Sequence, residues 1–146
     1  MKIATNKKAK FDYEILETFK AGLVLQGNEV KSIREGKVSI KESYVKIINN
    51  EAFLMQSNIA KFTQDSAKDY QEVRPRKLLL SKKEILKLQE EVKLKNLTII
   101  PLDIYFDRKY VKITIALGRG KKKFDKRQTL KERDTKRKLE KTMKLS

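Results

Sequence analysis

The side chains in this sequence that could do chemistry are mostly cations, with a few carboxylates and aromatic rings among them. The chain has 36 Lys or Arg and 19 Asp or Glu, but no His and no Cys. The lack of imidazole and thiol groups excludes disulfides, thiolate nucleophiles, zinc fingers and the commonest general base. A net charge of +17 instead favours a polyanionic partner, with nucleic acid ahead of an anionic membrane surface.

The densest run of cations is the last segment, residues 118–146. Its thirteen Lys or Arg and four Asp or Glu give +9 of the +17 charge. Large apolar residues are few, and Glu132 and Asp134 each precede a base by four residues, which supports a helix. We predict a basic C-terminal tail that is disordered when free and folds on a partner, with a merely solubilising tail as the alternative. Gly118 and Gly120 are expected to form its hinge.

Residues 121–127 contain the most specific motif of this tail. Phe124 stands after Lys121 and Lys122, and Lys126 and Arg127 follow it. An aromatic ring placed in this way can stack on an unpaired base while the flanking cations bind phosphates. The alternative is a ring at the edge of the hydrophobic core.

Glu29 is the carboxylate of most interest outside the tail. It could orient Lys31 or Arg34, or accept a hydrogen bond from a base or a ribose hydroxyl. The alternative is an acidic residue that only complements the dipole at a helix N-terminus. Asp103 and Asp107 are the other candidate metal ligands, but no spacing links them to Glu29. We therefore expect a nonenzymatic protein without a metal or cofactor.

These residues must be positioned by a body that the apolar pattern places within residues 1–117, where residues 1–10 read as a solvated basic arm. Alternating or β-branched runs predict strands at 13–19, 23–25, 43–48, 51–59, 100–106 and 111–117. In the last two strands, Ile100, Leu102, Ile104 and Phe106 are expected to share one face, as are Val111, Ile113, Ile115 and Leu117. Residues 60–73 read as a long connection, and the run from Arg74 to Lys77 then puts three cations around Pro75.

Helix and turn signals complete the outline. Asn28 is the expected N-cap of a short helix ended by Gly36, with Val30 and Ile33 buried and Lys31, Ser32 and Arg34 nearer the surface. The pair Asn49 and Asn50 suits a tight hairpin turn. Ser81 and Glu84 form a capping box that opens a helix through Lys95, and Asn96 is the expected left-handed terminator.

About six strands without long crossovers favour a mainly β fold with short helices. The closest simple architecture is a small antiparallel β-barrel resembling the oligonucleotide-binding fold, followed by the basic tail. No apolar run is long enough for a signal-peptide core or a membrane span, so we expect a cytoplasmic protein. We expect it to act as a monomer.

Seven blocks of this sequence, in their order and spacing, resemble the bacterial tmRNA-binding protein family, small protein B or SsrA-binding protein. The most specific are Glu-Val-Lys-Ser, Arg-Lys-Leu-Leu-Leu and Asp-Lys-Arg. The resemblance covers nearly the whole chain, and its blocks lie at 6–9, 27–34, 43–45, 58–59, 76–80, 101–106 and 120–127.

The resemblance implies a body that binds the tRNA-like domain of tmRNA. It also implies a tail that enters the decoding centre and mRNA channel of a stalled ribosome, where it becomes helical. The residues that match the RNA-binding motifs are Asn6, Lys7, Glu29, Lys31, Ser32, Arg34, Asn58, Lys121 and Lys122. Those that match the decoding-centre motif are Phe124, Asp125, Lys126 and Arg127, with Phe124 standing where many members have His or Tyr. From the residues alone, a general single-stranded nucleic-acid-binding protein remains the alternative.

Overall fold

A computed structural model describes residues 2–61 and 70–121 of the chain. These residues contain nine strands and three helices. The strands are β1 (Lys2–Thr5), β2 (Tyr13–Leu23), β3 (Val38–Ser39), β4 (Tyr44–Ile48), β5 (Glu51–Met55), β6 (Asn58–Ile59), β7 (Arg76–Leu79), β8 (Thr98–Asp107) and β9 (Tyr110–Gly120). The helices are α1 (Ala9–Asp12), α2 (Gly27–Arg34) and α3 (Lys82–Lys95).

Seven of the strands form one antiparallel sheet that closes on itself. Its order is β1-β8-β4-β5-β7-β2-β9, and β8 also pairs with β9. The six strands from β8 to β9 therefore make a closed ring of pairings, with β1 added outside the ring on β8. Strands β3 and β6 pair separately. The prediction of a mainly β fold with short helices is confirmed, with more strands than the expected six.

The core fills the inside of this ring. Val111, Ile113, Ile115 and Leu117 are all buried in it, which confirms the predicted inward face of β9. From α3, Leu88 is fully buried in the same cluster, and Val92 packs against it. Helix α3 therefore packs its apolar side, which includes Leu88 and Val92, against the ring.

The predicted single face of β8 is wrong. The register of β8 against β9 shifts between Pro101 and Asp103. Ile104 therefore lies in the main core, whereas Ile100 packs with Ala9 and Ala116 in a second, smaller cluster. An irregularity of this kind reverses which face alternate side chains occupy, and simple alternation in the sequence cannot reveal it.

The prediction that residues 1–10 form a solvated basic arm is wrong for the residues of β1. Lys2–Thr5 pairs antiparallel with β8. The Lys2 Nζ atom lies 3.5 Å from the Asp103 carboxylate, which is largely shielded from solvent. The outer edge of β8 offers unpaired backbone groups, and pairing with β1 satisfies them.

Several predictions of turns and helix ends are confirmed. Asn49 and Asn50 have φ angles of 51° and 61°, as a tight turn between β4 and β5 requires. Ser81 and Glu84 form the capping box of α3, and Asn96 ends that helix with φ of 53°.

Several boundaries differ from the prediction, and the strand expected at 51–59 is divided into β5 and β6. Strand β2 runs unbroken through Ala21 and Gly22, because both continue its pairing with β9. Helix α2 has Gln26 as its N-cap instead of Asn28, and Glu29 accepts a hydrogen bond from the Gln26 backbone N–H at 2.8 Å.

The expected hinge at Gly118 and Gly120 is wrong as well, because both glycines belong to β9. Gly118 pairs with Ile15 and Gly120 with Tyr13. A side chain at Gly118 would meet the Tyr13 Cβ atom at 3.1 Å, so this glycine permits a close approach. The body thus extends to Lys121, whose backbone N–H donates to the Asp12 carbonyl at 2.9 Å.

The predictions of a free, disordered tail and of an induced helix concern residues outside those described. Within residues 2–61 and 70–121, no helix is long and apolar enough to cross a membrane.

Candidate nucleic-acid interface

Glu29 lies in the first turn of α2, and its side chain is fully buried. A buried carboxylate is costly unless it is paired and hydrogen-bonded. Two arginines supply the pairing: Arg74, just before β7, and Arg76, the first residue of β7. Both are more than 40 residues away from Glu29 in sequence. We call Glu29, Arg74 and Arg76 the buried ion cluster.

Arg76 is the fully buried arginine of this cluster. Its Nε atom donates to Glu29 Oε2 at 2.7 Å. One terminal nitrogen donates to the Ser57 carbonyl at 3.0 Å and to Ser57 Oγ at 2.9 Å, and the other donates to the Glu72 carbonyl at 3.0 Å. Arg76 therefore ties together α2, the residues before β6 and the residues before β7.

Arg74 is the second arginine of the cluster, and 26% of its side chain is exposed. Its Nε atom donates to Glu29 Oε2 at 3.1 Å, and one terminal nitrogen donates to Glu29 Oε1. The other terminal nitrogen donates to the Pro75 carbonyl at 3.1 Å. This fork-like approach to a carboxylate fixes the plane of the guanidinium.

The cluster decides the protonation state of Glu29. Burial by itself would raise the pKa of this carboxyl, but hydrogen bonds from Arg74, Gln26 and Arg76, with the charge of Arg76, hold the pKa below its ordinary value of 4.5. Glu29 is therefore ionised at neutral pH, and the cluster carries one net positive charge.

Tyr70 and Ser32 close the space beside the cluster. The Tyr70 hydroxyl donates to the Ile59 carbonyl at 2.7 Å, and burial together with the charge of Glu29 raises the pKa of Tyr70. Ser32 Oγ donates to the Ala60 carbonyl at 2.6 Å. The expectation that Ser32 lies near the surface is wrong, because it follows Glu29 by three residues and shares its buried helix face.

The exposed face of α2 carries Lys31 and Arg34. The Arg34 guanidinium lies 5.8 Å from the centre of the Phe106 ring, within the range of a cation–π contact. Asn58 is exposed on β6, where it pairs with Ser39 of β3. Lys31 and Arg34 therefore make the exposed side of α2 cationic, with the polar Asn58 on the neighbouring strand β6.

Asn6 and Lys7 lie between β1 and α1. The Asn6 side-chain amide donates to the Pro101 carbonyl at 3.0 Å, and its backbone N–H donates to the Leu102 carbonyl at 2.8 Å. Asn6 therefore anchors this turn to β8, while Lys7 and Lys8 are exposed. Sequence reasoning did not predict this anchoring role.

A pocket of about 430 Å³ separates this turn from β3. Its apolar wall is formed by Ile3, Val38 and Ile40, and lysines supply its charge. Such a combination suits a sugar or base against the wall with phosphates on the cations. The charged lining residues are Lys7, Lys8 and Lys41.

Lys121 lies where β9 ends. Its Nζ atom donates to the Lys10 carbonyl at 2.9 Å, in addition to the backbone contact with Asp12. The start of the tail is thereby fixed against α1, close in the chain to Asn6 and Lys7. The remaining predicted site residues lie outside the described part: Lys122, Phe124, Asp125, Lys126 and Arg127.

The structure thus divides the predicted residues into two groups. Glu29, Lys31, Ser32 and Arg34 belong to α2, with Asn58 beside them on β6, whereas Asn6, Lys7 and Lys121 surround α1. Arg74 was missed as a site residue. The sequence signal for Arg74 was that it begins the short run Arg-Pro-Arg-Lys. That run does not indicate which acidic residue Arg74 pairs with.

Among the described residues, no three Asp or Glu side chains come together in a group that could hold a metal ion.

Comparison with known proteins supplies the decisive observation. The family model described as SmpB protein matches residues 3–145. The chain belongs to the SmpB family. The match includes the elements that carry both groups of predicted residues, and it extends through the basic tail.

Individual relatives agree along nearly the whole chain. An SsrA-binding protein from Fusobacterium nucleatum is 49% identical over 144 residues, covering 99% of this chain and 97% of the relative. Another from Exiguobacterium sibiricum is 50% identical over 141 residues, covering 97% and 90%.

The fold is similar to that of a solved chain described as "tmRNA-SmpB: a journey to the center of the bacterial ribosome". The two share 44% sequence identity with a TM-score of 0.67, over 82% of this chain and 84% of the solved one. This likeness supports the sheet described above as the family architecture.

Proposed function

We propose that this protein binds the tRNA-like domain of tmRNA and delivers it to stalled ribosomes, where incomplete proteins are tagged. The observation that carries this proposal is the family match over residues 3–145, together with relatives named as SsrA-binding proteins along nearly their full length. The protein acts in the bacterial cytoplasm, as a monomer, without catalysis and without a cofactor.

The body is the RNA-binding part in this proposal. A closed ring of antiparallel strands with short helices is consistent with a small barrel resembling the oligonucleotide-binding fold. The exposed side of α2 carries Lys31 and Arg34, and the turn that Asn6 anchors to β8 carries the exposed Lys7 and Lys8. Double-helical and folded RNA is recognised largely through its backbone and shape, and fixed cations suit that task.

The part of the predicted tail beyond Lys121 supplies the second part of the function. Gly118 and Gly120 complete β9, so the proposed tail begins after Lys121 instead of at residue 118. Phe124, Asp125, Lys126 and Arg127 are proposed to enter the decoding centre, and the charged remainder is proposed to become helical in the mRNA channel. The helix-supporting ion-pair spacings of this remainder and its seven Lys or Arg fit an RNA-lined channel.

One experiment tests this division. The triple variant Asp125→Ala, Lys126→Ala, Arg127→Ala should bind tRNA-like RNA within about threefold of wild type, because it removes a net charge of only +1 and leaves the residues of the body unchanged. It should nevertheless lose nearly all tagging in a reconstituted stalled-ribosome assay. Lys83→Gln on α3 removes the same net charge and should preserve both activities.

Competition with an unstructured RNA of equal length completes this test. The wild-type protein should prefer the tRNA-like RNA at every salt concentration. Equal affinity for both RNAs would overturn the proposed function, and an equal loss of RNA binding and tagging in the triple variant would overturn the division between body and tail.

A further inference from the structure

The buried ion cluster contains one carboxylate and two guanidinium groups, so one positive charge is not neutralised within it. The two arginines differ in how completely they are satisfied. Arg76 is fully buried, and all three of its guanidinium nitrogens donate to acceptors in the body. Arg74 is the arginine that reaches the solvent, and the charge of the cluster is therefore presented there.

Counting donors leads to the same residue. A guanidinium has five N–H groups. Arg74 uses two of them on Glu29 and one on the Pro75 carbonyl. Among the residues that the structure describes, its two other N–H groups have no acceptor, although the side chain is held in a fixed plane. A fixed fork whose remaining donors are unused by the described residues is suited to a phosphate oxygen.

We propose that Arg74 is a phosphate-contacting residue of the RNA interface and that Glu29 is its positioning residue. This inference rests on the proposed function and deepens it. Glu29 acts on RNA through Arg74, since its own carboxylate is fully enclosed and its acceptor positions are occupied by Gln26, Arg74 and Arg76.

The surroundings of Arg74 favour an anion. Arg74 is attached through Glu29 to the buried side of α2, and the exposed side of the same helix carries two further cations, Lys31 and Arg34. The nearest other acid along the chain is Glu72, whose side chain is exposed and approaches the Lys61 backbone N–H at 3.5 Å. An exposed carboxylate is screened by water and salt, and so it offsets the charge of Arg74 only in part.

The test compares Arg74→Gln with Lys83→Gln in the full chain. Both variants remove one positive charge, but Lys83 is an exposed residue of α3 rather than of this surface. Binding of the tRNA-like domain of tmRNA is measured from about 50 to 300 mM salt. Arg74→Gln should weaken binding about tenfold and lower the slope of log K against log salt by about one. Lys83→Gln should change the affinity less than threefold. Equal effects of the two variants would overturn the inference.

Glu29→Gln tests the positioning role of Glu29. A pure charge effect and a loss of Arg74 orientation predict opposite changes in RNA affinity. The substitution removes one negative charge from the buried ion cluster. If only the net charge mattered, RNA binding would become tighter. Loss of orientation at Arg74 would weaken it, by about three- to tenfold, and would add little in the Arg74→Gln background. Tighter binding, or a full additional loss in the double variant, contradicts the positioning role.

Urea unfolding of each variant shows whether it is folded under the binding conditions. Arg74→Gln keeps the pair between Glu29 and Arg76, so it remains informative even where Glu29→Gln does not fold. The unstructured competitor RNA separates this inference from the proposed function. Wild-type preference for the tRNA-like RNA with an unchanged Arg74→Gln variant contradicts only the role of Arg74, whereas absence of that preference contradicts the proposed function.

Discussion

The α2 side and the α1 side of the proposed interface fix their cations in different ways. On the α2 side, Arg74 is held by a fully buried carboxylate that it shares with Arg76. On the α1 side, Lys121 is held by two backbone carbonyls of the α1 segment, and Lys7 is exposed. One arrangement depends on buried charge, and the other depends on hydrogen bonds near the surface.

The difference has an energetic consequence. Buried charges must be removed from water, so they stabilise a fold only while all partners and acceptors are present. Contacts to surface carbonyls contribute little each, and water can replace them. We therefore expect substitutions on the α2 side to act through folding and orientation, and those on the α1 side to act mainly on the start of the tail.

The largest effect is expected for Arg76→Leu. This change leaves Glu29 with a single arginine and leaves the Ser57 and Glu72 carbonyls without their buried donor. Loss of one partner from a buried pair costs about 3–5 kcal/mol, and urea unfolding should show a decrease of this size. The matched change on the α1 side, Lys121→Gln, should cost no more than about 1 kcal/mol. Similar losses for both variants would remove the distinction between the two sides.

A smaller effect is expected in the pH dependence of stability. The pKa of Glu29 is lowered in the folded protein. The Glu29 charge therefore stabilises the fold fully above about pH 4.5, and this stabilisation is lost as the pH falls through the lower pKa of the folded state. The difference in unfolding free energy between wild type and Glu29→Gln should be largest near pH 7 and should shrink below pH 4.5. The exposed Glu51 pairs with Lys77 at the surface, so Glu51→Gln should show almost no such dependence. A constant difference for Glu29→Gln would mean that its charge does not stabilise the fold.

The smallest effect is expected where the tail begins. A methyl group at Gly118 meets the Tyr13 side chain at 3.1 Å, whereas one at Gly120 meets nothing within 4 Å. Gly118→Ala should lower the unfolding free energy by about 1–2 kcal/mol, because Tyr13 must shift at the end of α1. Gly120→Ala should stay within about 0.5 kcal/mol. Equal thermal unfolding of the two variants would show that Tyr13 moves without cost.

Much of the fold was predictable because its signals are local. The turn at Asn49 and Asn50, the capping box at Ser81 and the terminator at Asn96 each depend on residues within a few positions of one another. The buried face of β9 follows from simple alternation. The order of the motifs along the chain was sufficient to indicate the family, since that order does not depend on knowing the contacts.

The errors arise where distant segments meet. The register shift in β8 and the pairing of β1 with its edge depend on strands that are remote in sequence. The hinge expected at Gly118 failed because a glycine that permits close packing looks the same in sequence as one that permits bending.

Glu29 shows most clearly what each source of information decides. By itself, the sequence determined that this acid stands in the first turn of a helix within a strongly basic chain, because helix signals and composition are local properties. Only the tertiary structure decided that it is buried between Arg74 and Arg76, because those arginines lie 45 and 47 residues away. The reason is physical: burial and charge pairing are set by the packing of β7 beside α2, and local sequence does not encode that packing.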